Sequence, residues 1–398
     1  MRLKQQRSSS AGKRRRRLAW GIWLLALLPV LWFSYDRMIV LSTGSVYDAR
    51  ILDCSGSWVR RSSGSGRPGR LQLRHTPVAY TETGLKAVGG ILLSHEWCLR
   101  QLGSKVAVAT AEGTEPRLIS FIQYWLALSL GWYIAGIWLL ALLGTRAPLL
   151  VTFNVGYLAS AVVLAYVELY PATAPDKADD PSATVLALCT ERELHDQQVN
   201  DAAALQSFRC QNPYVSDLAS LPSLDTVTAL YLQGSSLESL ESAPALPSLR
   251  TLSVAGSDTL VSLKGIERLP GLTELQANQS AVSDLAGVEA LTQLRVVAFM
   301  RNRLDSDDVA VFANLDALED VVLNYNDIAD ISAFANKPKL REFQVYGNRV
   351  RDVSPLYGNT ALTLAGVRGR GNVPCEQILM LRSKLAADAR VFGPKACD

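Results

Sequence analysis

Two patterns of hydrophobic positions divide this chain. In the first 170 residues the apolar positions fall in unbroken blocks, Leu18 to Phe33, Ile119 to Leu143 and Ala147 to about Val167. A membrane-spanning helix needs about 20 apolar residues, within a range of about 17–25, so the second and third blocks are long enough and the first is short. From Leu205 onward the apolar positions instead recur with a period near 22. Copies begin at Leu205, Val227, Leu249, Leu272, Leu294, Leu318, Leu340 and Leu362, at intervals of 22, 22, 23, 22, 24, 22 and 22 residues. Between the blocks the period drops to two: Val46, Asp48, Arg50 and Leu52 alternate with Tyr47, Ala49 and Ile51, and Leu71-Gln-Leu73 and Lys105-Val-Ala-Val108 do likewise. This alternation predicts a small β-rich domain over residues 34–118.

The clearest long-period copy is Leu318-Glu-Asp-Val321-Val-Leu323-Asn-Tyr-Asn326-Asp-Ile328-Ala-Asp-Ile331. The next runs through Leu340, Phe343, Val345, Asn348, Val350 and Val353. The spacing L-x-x-L-x-L-x-x-N-x-L resembles the leucine-rich repeat, and the 22-residue length with Asp330-Ile-Ser332 resembles its internalin-like bacterial subclass. The resemblance covers residues 185–398 and implies an α/β solenoid with parallel strands on its concave face. Single repeats cannot bury their own apolar stripe, so neighbours stack on a shared core and the two ends need caps. Glu191-Arg-Glu-Leu194 and Pro374-Cys375-Glu-Gln-Ile378-Leu-Met-Leu381 supply helical patterns at those ends. The array departs from the pattern at the asparagine position, which is Pro213, Ser235, Ser257 and Ser280 in the early copies. Serine can satisfy part of the turn's backbone, and Pro213 marks the first copy as partly a cap. The 24-residue copy carries the insertion Asp305-Ser-Asp-Asp308, which predicts a short helix on the outer face.

Charge changes the picture only through its placement. The net charge of +3 names no partner, but eight of the 40 Lys and Arg residues lie in the first 17 positions, ending in Arg14 to Arg17. Directly ahead of an apolar block, such a run reads as a cytoplasmic topology signal rather than a nucleic-acid site. The first block is followed by Ser34, Tyr35, Asp36 and Arg37, with no small-residue cleavage site, so it reads as an anchor rather than a removed signal peptide. The expected organisation is a basic cytoplasmic N-terminus (1–17), three transmembrane helices (18–33, 119–144 and 147–169) and a β-rich extracytoplasmic domain (34–118). A linker (170–184) with Pro171, Pro175 and Pro181 then leads to the repeat domain (185–398). The corresponding location is a bacterial inner membrane, multi-pass, with the repeats in the periplasm and the lipid bilayer as one partner.

Cysteine placement agrees with an oxidising compartment. Cys54 and Cys98 share the β-rich segment, Cys189 and Cys210 lie at the start of the repeats, and Cys375 and Cys397 lie at their end. Three structural disulfides in those pairs are expected.

Catalytic and metal chemistry find little support. The chain has no G-x-S-x-G, H-E-x-x-H or P-loop, and only three histidines, His75, His95 and His195. Gly64-Ser-Gly66-Arg-Pro-Gly69 is formally G-x-G-x-x-G, but it leads into a strand pattern instead of the helix a dinucleotide site requires. His95-Glu96-Trp97-Cys98 groups possible ligands, yet a disulfide at Cys98 removes its thiolate. The aspartates at 176, 179 and 180 and at 305, 307 and 308 lack the Gly and Glu spacing of a calcium loop. Glu168 stands where the third block meets water. The expectation is a protein that is not an enzyme and takes no cofactor, metal or nucleic acid.

What remains is the concave strand face implied by the repeats. Its variable positions carry Arg209, Tyr231, Gln233, Glu274, Gln276, Asn278, Gln279, Met300, Arg301, Asp320, Asn324, Tyr325, Glu342, Gln344, Tyr346 and Arg368. Tyr, Arg and Met are enriched at protein interfaces, and amides add adaptable hydrogen bonds. The face therefore predicts capture of another protein, as a receptor, an adaptor or an immunity protein that sequesters a toxin. The alternative is a structural envelope protein that binds peptidoglycan or lipopolysaccharide.

Overall fold

The computed structural model describes residues 178–397 continuously. In the first 177 residues it describes most of 19–31, then 45–60, 71–82, 85–89, 93–110, 115–119 and 126–143, and a few positions between 157 and 164. The basic N-terminus, the glycine-rich stretch 64–69, Glu168 and most of the third apolar block lie outside the described residues. The chain forms two compact units, Met1–Lys177 and Ala178–Asp398.

The first unit contains a closed five-stranded barrel, in the order β1-β2-β3-β5-β4. Its strands are β1 (Ser45–Arg60), β2 (Leu71–Thr81), β3 (Lys86–Val88), β4 (Lys105–Thr110) and β5 (Arg117–Ile119). The long β1 pairs with both β2 and β4, and its register against β2 shifts between Ile51 and Asp53. Such irregularities bend a strand, which lets a small sheet close on itself. Ile51, Leu52, Val78, Ala79, Val108 and Leu118 are buried. Helix α1 (His95–Leu99) starts at Ser94, whose side chain accepts from the Trp97 N–H, and the Cys54–Cys98 disulfide ties it to β1. The closure, β3, β5 and α1 are not apparent in the alternation, because the added elements are only three to five residues long.

The membrane reading is corrected by the structure. No helix among the described residues is long and apolar enough to cross a membrane. The longest apolar helix, α2 (Leu126–Leu143), has 18 residues. Trp23 donates to the Ala135 carbonyl at 2.9 Å and Tyr133 stacks on Tyr157 at 4.2 Å, so the apolar blocks pack on one another. The three transmembrane helices, the multi-pass inner-membrane location and the bilayer as partner are therefore withdrawn.

The second unit is a leucine-rich-repeat solenoid. Nine parallel strands form one sheet in strict sequence order: β6 (Ser207–Arg209), β7 (Ala229–Tyr231), β8 (Thr251–Ser253), β9 (Glu274–Gln276), β10 (Val296–Ala298), β11 (Asp320–Val322), β12 (Glu342–Gln344), β13 (Leu364–Gly366) and β14 (Arg390–Phe392). The central residue of each strand, from Phe208 through Leu230, Leu275, Val321 and Phe343 to Ala365, is buried in a core that runs the length of the array. The inserted copy leads into a seven-residue 3-10 helix, Asp308–Asn314, which buries Val309 and Phe312. Phe299, Phe312, Phe334 and Phe343 stack in series through this part of the core, with ring centres 4.9 to 6.4 Å apart.

Asparagines close the turns after the later strands. Asn326 accepts from the N–H groups of Asn302 (3.1 Å) and Leu304 (3.2 Å) and donates to the carbonyls of Phe299 (2.8 Å) and Leu323 (3.0 Å). Asn348 accepts from Ile328 and donates to Leu323 and Val345. In the early copies Ser235 bonds Ser257 at 2.8 Å, Ser257 N–H bonds Ser280 Oγ at 3.3 Å, and Ser280 donates to the Val254 carbonyl at 3.2 Å.

Both ends of the sheet are capped by side chains that satisfy strand edges. Helix α3 (Pro181–Gln197) has Asp180 as N-cap and proline in its first turn, so residues 181–184, expected in the linker, are helical. Its Arg192 donates to the Arg209 carbonyl, and Gln197 donates to Ser207 O and accepts from Gln206 N–H. At the other end helix α4 (Cys375–Lys384) buries Ile378 and Leu381, and its Arg382 donates to the carbonyls of Val391 and Cys397. Covering an edge in this way removes a template for unwanted strand pairing. Disulfides Cys189–Cys210 and Cys375–Cys397 fasten the two caps.

Candidate functional site

Each strand turns its central residue inward, so its flanking residues line the outer sheet face in files set by the strand register. The first file runs Ser207, Ala229, Thr251, Glu274, Val296, Asp320, Glu342, Leu364 and Arg390. It is acidic in its middle. Burial raises the Asp320 carboxyl above its usual range; Arg341 works in the opposite direction, while Glu342 and Glu319 add to the rise. Beside this file Arg295 grips Glu319 through two hydrogen bonds of 2.7 and 2.8 Å, and Arg341 approaches Glu319 at 3.2 Å. The second file carries Arg209, Tyr231, Gln276 and Gln344, with Arg209 5.6 Å from the centre of the Tyr231 ring. Gln276 donates to Glu274 at 2.5 Å and Gln344 donates to Glu342, so these amides steady the acidic file.

A third file lies just past the strands and contains Gln233, Asn278, Met300, Asn324, Tyr346 and Arg368. Several of its members are occupied by structure. Asn324 is buried; it accepts from Tyr346 N–H at 2.6 Å and donates to Gln344 at 3.2 Å. Asn278 accepts from Met300 N–H at 2.8 Å, Arg368 donates to the Gly393 carbonyl at 2.9 Å, and Gln233 donates to Ser253 at 3.1 Å. Spacing marks these positions as outward but cannot show that the neighbouring turn consumes the amide. Tyr346 is half-buried, and its ring lies so close over Gly366 that a Cβ there would stand 2.5 Å from Cε2.

The fourth file holds Arg301 and Tyr325, and its backbone is unusual. Along it stand Gly234, Gly256, Gln279, Arg301, Tyr325 and Gly347, every one with positive φ between 56° and 73°. Glycine accepts this conformation freely, whereas another residue pays about 1–2 kcal/mol. Three adjacent repeats nevertheless place a long side chain there. Tyr325 is 54% exposed, and a Cβ on Gly347 would stand 2.6 Å from its ring. Arg301 lies 5.3 Å from the centre of that ring on its other flank. Tyr325 and Tyr346 are joined by a 2.6 Å bond from Tyr325 N–H to the Tyr346 carbonyl, yet they occupy different files. The left-handed turn that separates them is encoded by the glycines in the same file, a signal that repeat spacing alone does not expose.

In the barrel, Cys98 is disulfide-bonded, so His95-Glu96-Trp97-Cys98 offers neither a thiolate ligand nor a nucleophile. His75 is buried with its ring 4.3 Å from His95, and burial, followed by the His95 charge, lowers its pKa. Among the described residues no group of three or more His, Cys, Asp or Glu side chains is arranged to hold a metal.

No family profile matches the chain, and no curated protein matches it by sequence. Solved structures do match. Internalin C2 from Listeria monocytogenes is 19% identical, with a TM-score of 0.34 over 44% of this chain and 89% of that one. Internalin F from the same organism is 18% identical, with a TM-score of 0.32 over 45% of this chain and 70% of that one. A plant peptide hormone receptor solved with a bound peptide is 16% identical, with a TM-score of 0.30 over 37% of this chain and 29% of that one. The leucine-rich-repeat fold itself rests on this chain's own nine parallel strands and repeating core.

Proposed function

We propose that the repeat unit is a protein-binding module whose sheet face captures another protein. The observation that carries this reading is the pair Tyr325 and Tyr346, each ring seated over a glycine in the adjacent repeat. Rings held in place before binding lose little conformational freedom when a partner covers them, which favours their use as anchors. Replacing both tyrosines with alanine should abolish capture, since truncating each anchor costs about 2 kcal/mol or more, or roughly 30-fold in affinity. Neither belongs to the leucine core, so circular dichroism of the variant should match the parent. Equal capture of a crosslinked partner by parent and variant would sink the proposal.

A finer version is immunity, in which the face sequesters a toxin. Three disulfides suit a protein that meets its partner in an oxidising compartment. Protection of cells by the parent chain, lost in the double tyrosine variant, would support that role. Protection that survives the double substitution would exclude this face from it, and capture of peptidoglycan in place of protein would favour the structural alternative.

A further inference from the structure

The proposed function leaves the chemistry of the partner open, and the strand-end rim narrows it. The file of left-handed residues is glycine at Gly234, Gly256 and Gly347, and non-glycine at Gln279, Arg301 and Tyr325. Those three residues are exposed and sit in consecutive repeats. Nothing in the core explains them, because their side chains point away from it and glycine serves the same turn on both sides. Backbone strain retained at exposed positions marks a site where the side chain is needed for something other than folding.

The rim is rich in arginine. Immediately outside the left-handed file stand Arg303, Asp327 and Arg349, linked across repeats by the bonds from Arg303 N–H to Val282 O, Asp327 N–H to Leu304 O and Arg349 N–H to Ile328 O. Asp327 is engaged by Arg349 at 2.5 Å. Arg370 joins the same edge, donating to the Gly347 carbonyl at 3.2 Å. Arg301 lies against the Tyr325 ring, and among the described residues neither Arg301 nor Arg303 has a carboxylate partner. On the opposite edge of the sheet the arrangement is reversed: Arg295 and Arg341 are committed to Glu319. At one end of the strands Arg295 and Arg341 are thus neutralised; at the other Arg349 is paired with Asp327, while Arg301 and Arg303 are available beside an exposed aromatic ring.

We propose that this rim, formed by Arg301, Arg303 and Tyr325, recognises an acidic, extended peptide segment of the partner protein. The two guanidinium groups pair with carboxylates, and the Tyr325 ring, fixed between Arg301 and the Gly347 backbone, packs against an apolar side chain between them. Arginine suits this task because its planar donors match a carboxylate in pairs and its face stacks on an aromatic ring. The inference deepens the protein-binding reading and rests on it.

The test uses the full chain and two fluorescein-labelled peptides, one with a tryptophan flanked by pairs of glutamates and one with glutamines in place of the glutamates. Fluorescence anisotropy should show the glutamate peptide binding at least about tenfold more tightly, with the margin shrinking as salt is raised from 0.05 to 0.3 M. Arg301→Gly and Tyr325→Gly should each lose about tenfold or more in that affinity while melting no lower than the parent, because glycine accepts the left-handed backbone without strain. Arg303→Ser should weaken binding without touching that backbone. Equal binding of the two peptides, no binding of either, or full binding by Arg301→Gly would overturn the inference, as would capture of lipopolysaccharide by the rim in place of peptide. Failure of the rim alone looks different from failure of the broader reading, in which Tyr346→Ala also leaves capture of the crosslinked partner intact. If Tyr346→Ala abolishes capture of the crosslinked partner while Arg301→Gly and Arg303→Ser leave it intact, the sheet face binds protein and only the rim inference falls.

Discussion

The early and the later repeats solve the same turn in two ways. Around Ser235 and Ser257 the turn is held by a serine chain, and the preceding residue is the unstrained Gly234 or Gly256. Around Asn302 and Asn326 each side chain makes several hydrogen bonds, and the preceding residue is the strained Arg301 or Tyr325. Gln279 with Ser280 marks the change from one to the other, and Gly347 with Asn348 combines the stronger bonds with a relaxed backbone. Strain on the outside therefore falls largely where the inside is best bonded. The comparison indicates that the asparagine ladder permits functional side chains in a conformation that the turns at Ser235 and Ser257 fill with glycine.

The largest expected effect follows from cutting the ladder on each side. Asn326→Ala leaves the N–H groups of Asn302 and Leu304 and the Phe299 carbonyl without their partner, while the Leu323 carbonyl keeps Asn348; at about 1–3 kcal/mol for each group that water cannot reach, a loss of about 4 kcal/mol is expected. Ser235→Ala removes one buried hydroxyl bond and should cost about 1 kcal/mol. Urea denaturation of the two variants measures the difference directly. Equal losses would show that the serine chain is as strong as the asparagine ladder and would remove the basis of the comparison.

The repeat register, its core and the cysteines at its ends were legible in the chain, because leucines at fixed spacing fill one shared interior whatever lies outside. Three things were not. The ninth strand, Arg390–Phe392, lies beyond the last copy and pairs through its backbone, with only Val391 turned inward. The role of Asn324 depends on an amide reaching the next repeat, which its outward position conceals. The apolar blocks promised spanning helices by length, whereas the helices described are shorter than the blocks that contain them.

Removing the cap disulfides sharpens the same contrast. Each closes a separation of 21 or 22 residues, and the loss of either should cost about 3 kcal/mol in the chain-entropy model. The serine repeats adjoin Cys189–Cys210, so Cys189→Ser with Cys210→Ser should expose residues 205–260 to hydrogen exchange first. The matching change at Cys375 and Cys397 should leave the asparagine repeats protected for longer. Simultaneous loss of protection across all repeats in both variants would show that the array unfolds as one unit and that the two halves do not differ.

The barrel provides a control with its own pH dependence. His75 has a lowered pKa in the fold, from burial and then from His95, with Asp53 acting weakly in the opposite sense. Its Nδ1 has no hydrogen-bond partner among the described residues. The unfolded chain therefore takes up a proton near the ordinary value of 6.5 that the folded barrel resists. The stabilisation is complete above that value and declines as the pH falls toward the folded pKa, with a slope of at most about 1.4 kcal/mol per pH unit for one proton. His75→Phe should flatten the decline. A melting temperature of the barrel that stays constant from pH 7 to 5 would refute this account.

The smallest effect isolates the left-handed backbone itself. A Cβ on Gly234 meets nothing within 4 Å, so Gly234→Ala changes the conformational preference and no contact. At φ +70° the substitution should cost about 1 kcal/mol. Arg301→Gly is the reciprocal change at φ +58°, and it removes the Tyr325 contact along with the strain. A cation above an exposed ring contributes about 0.5–1 kcal/mol, so the two terms nearly cancel and stability should move by less than about 0.5 kcal/mol. A clear loss in Arg301→Gly together with no loss in Gly234→Ala would mean that the fourth file is unstrained in every repeat. The long side chains at Gln279, Arg301 and Tyr325 would then need no functional explanation. A loss confined to Gly234→Ala would mean that the middle repeats hold Arg301 and Tyr325 against a measurable backbone preference.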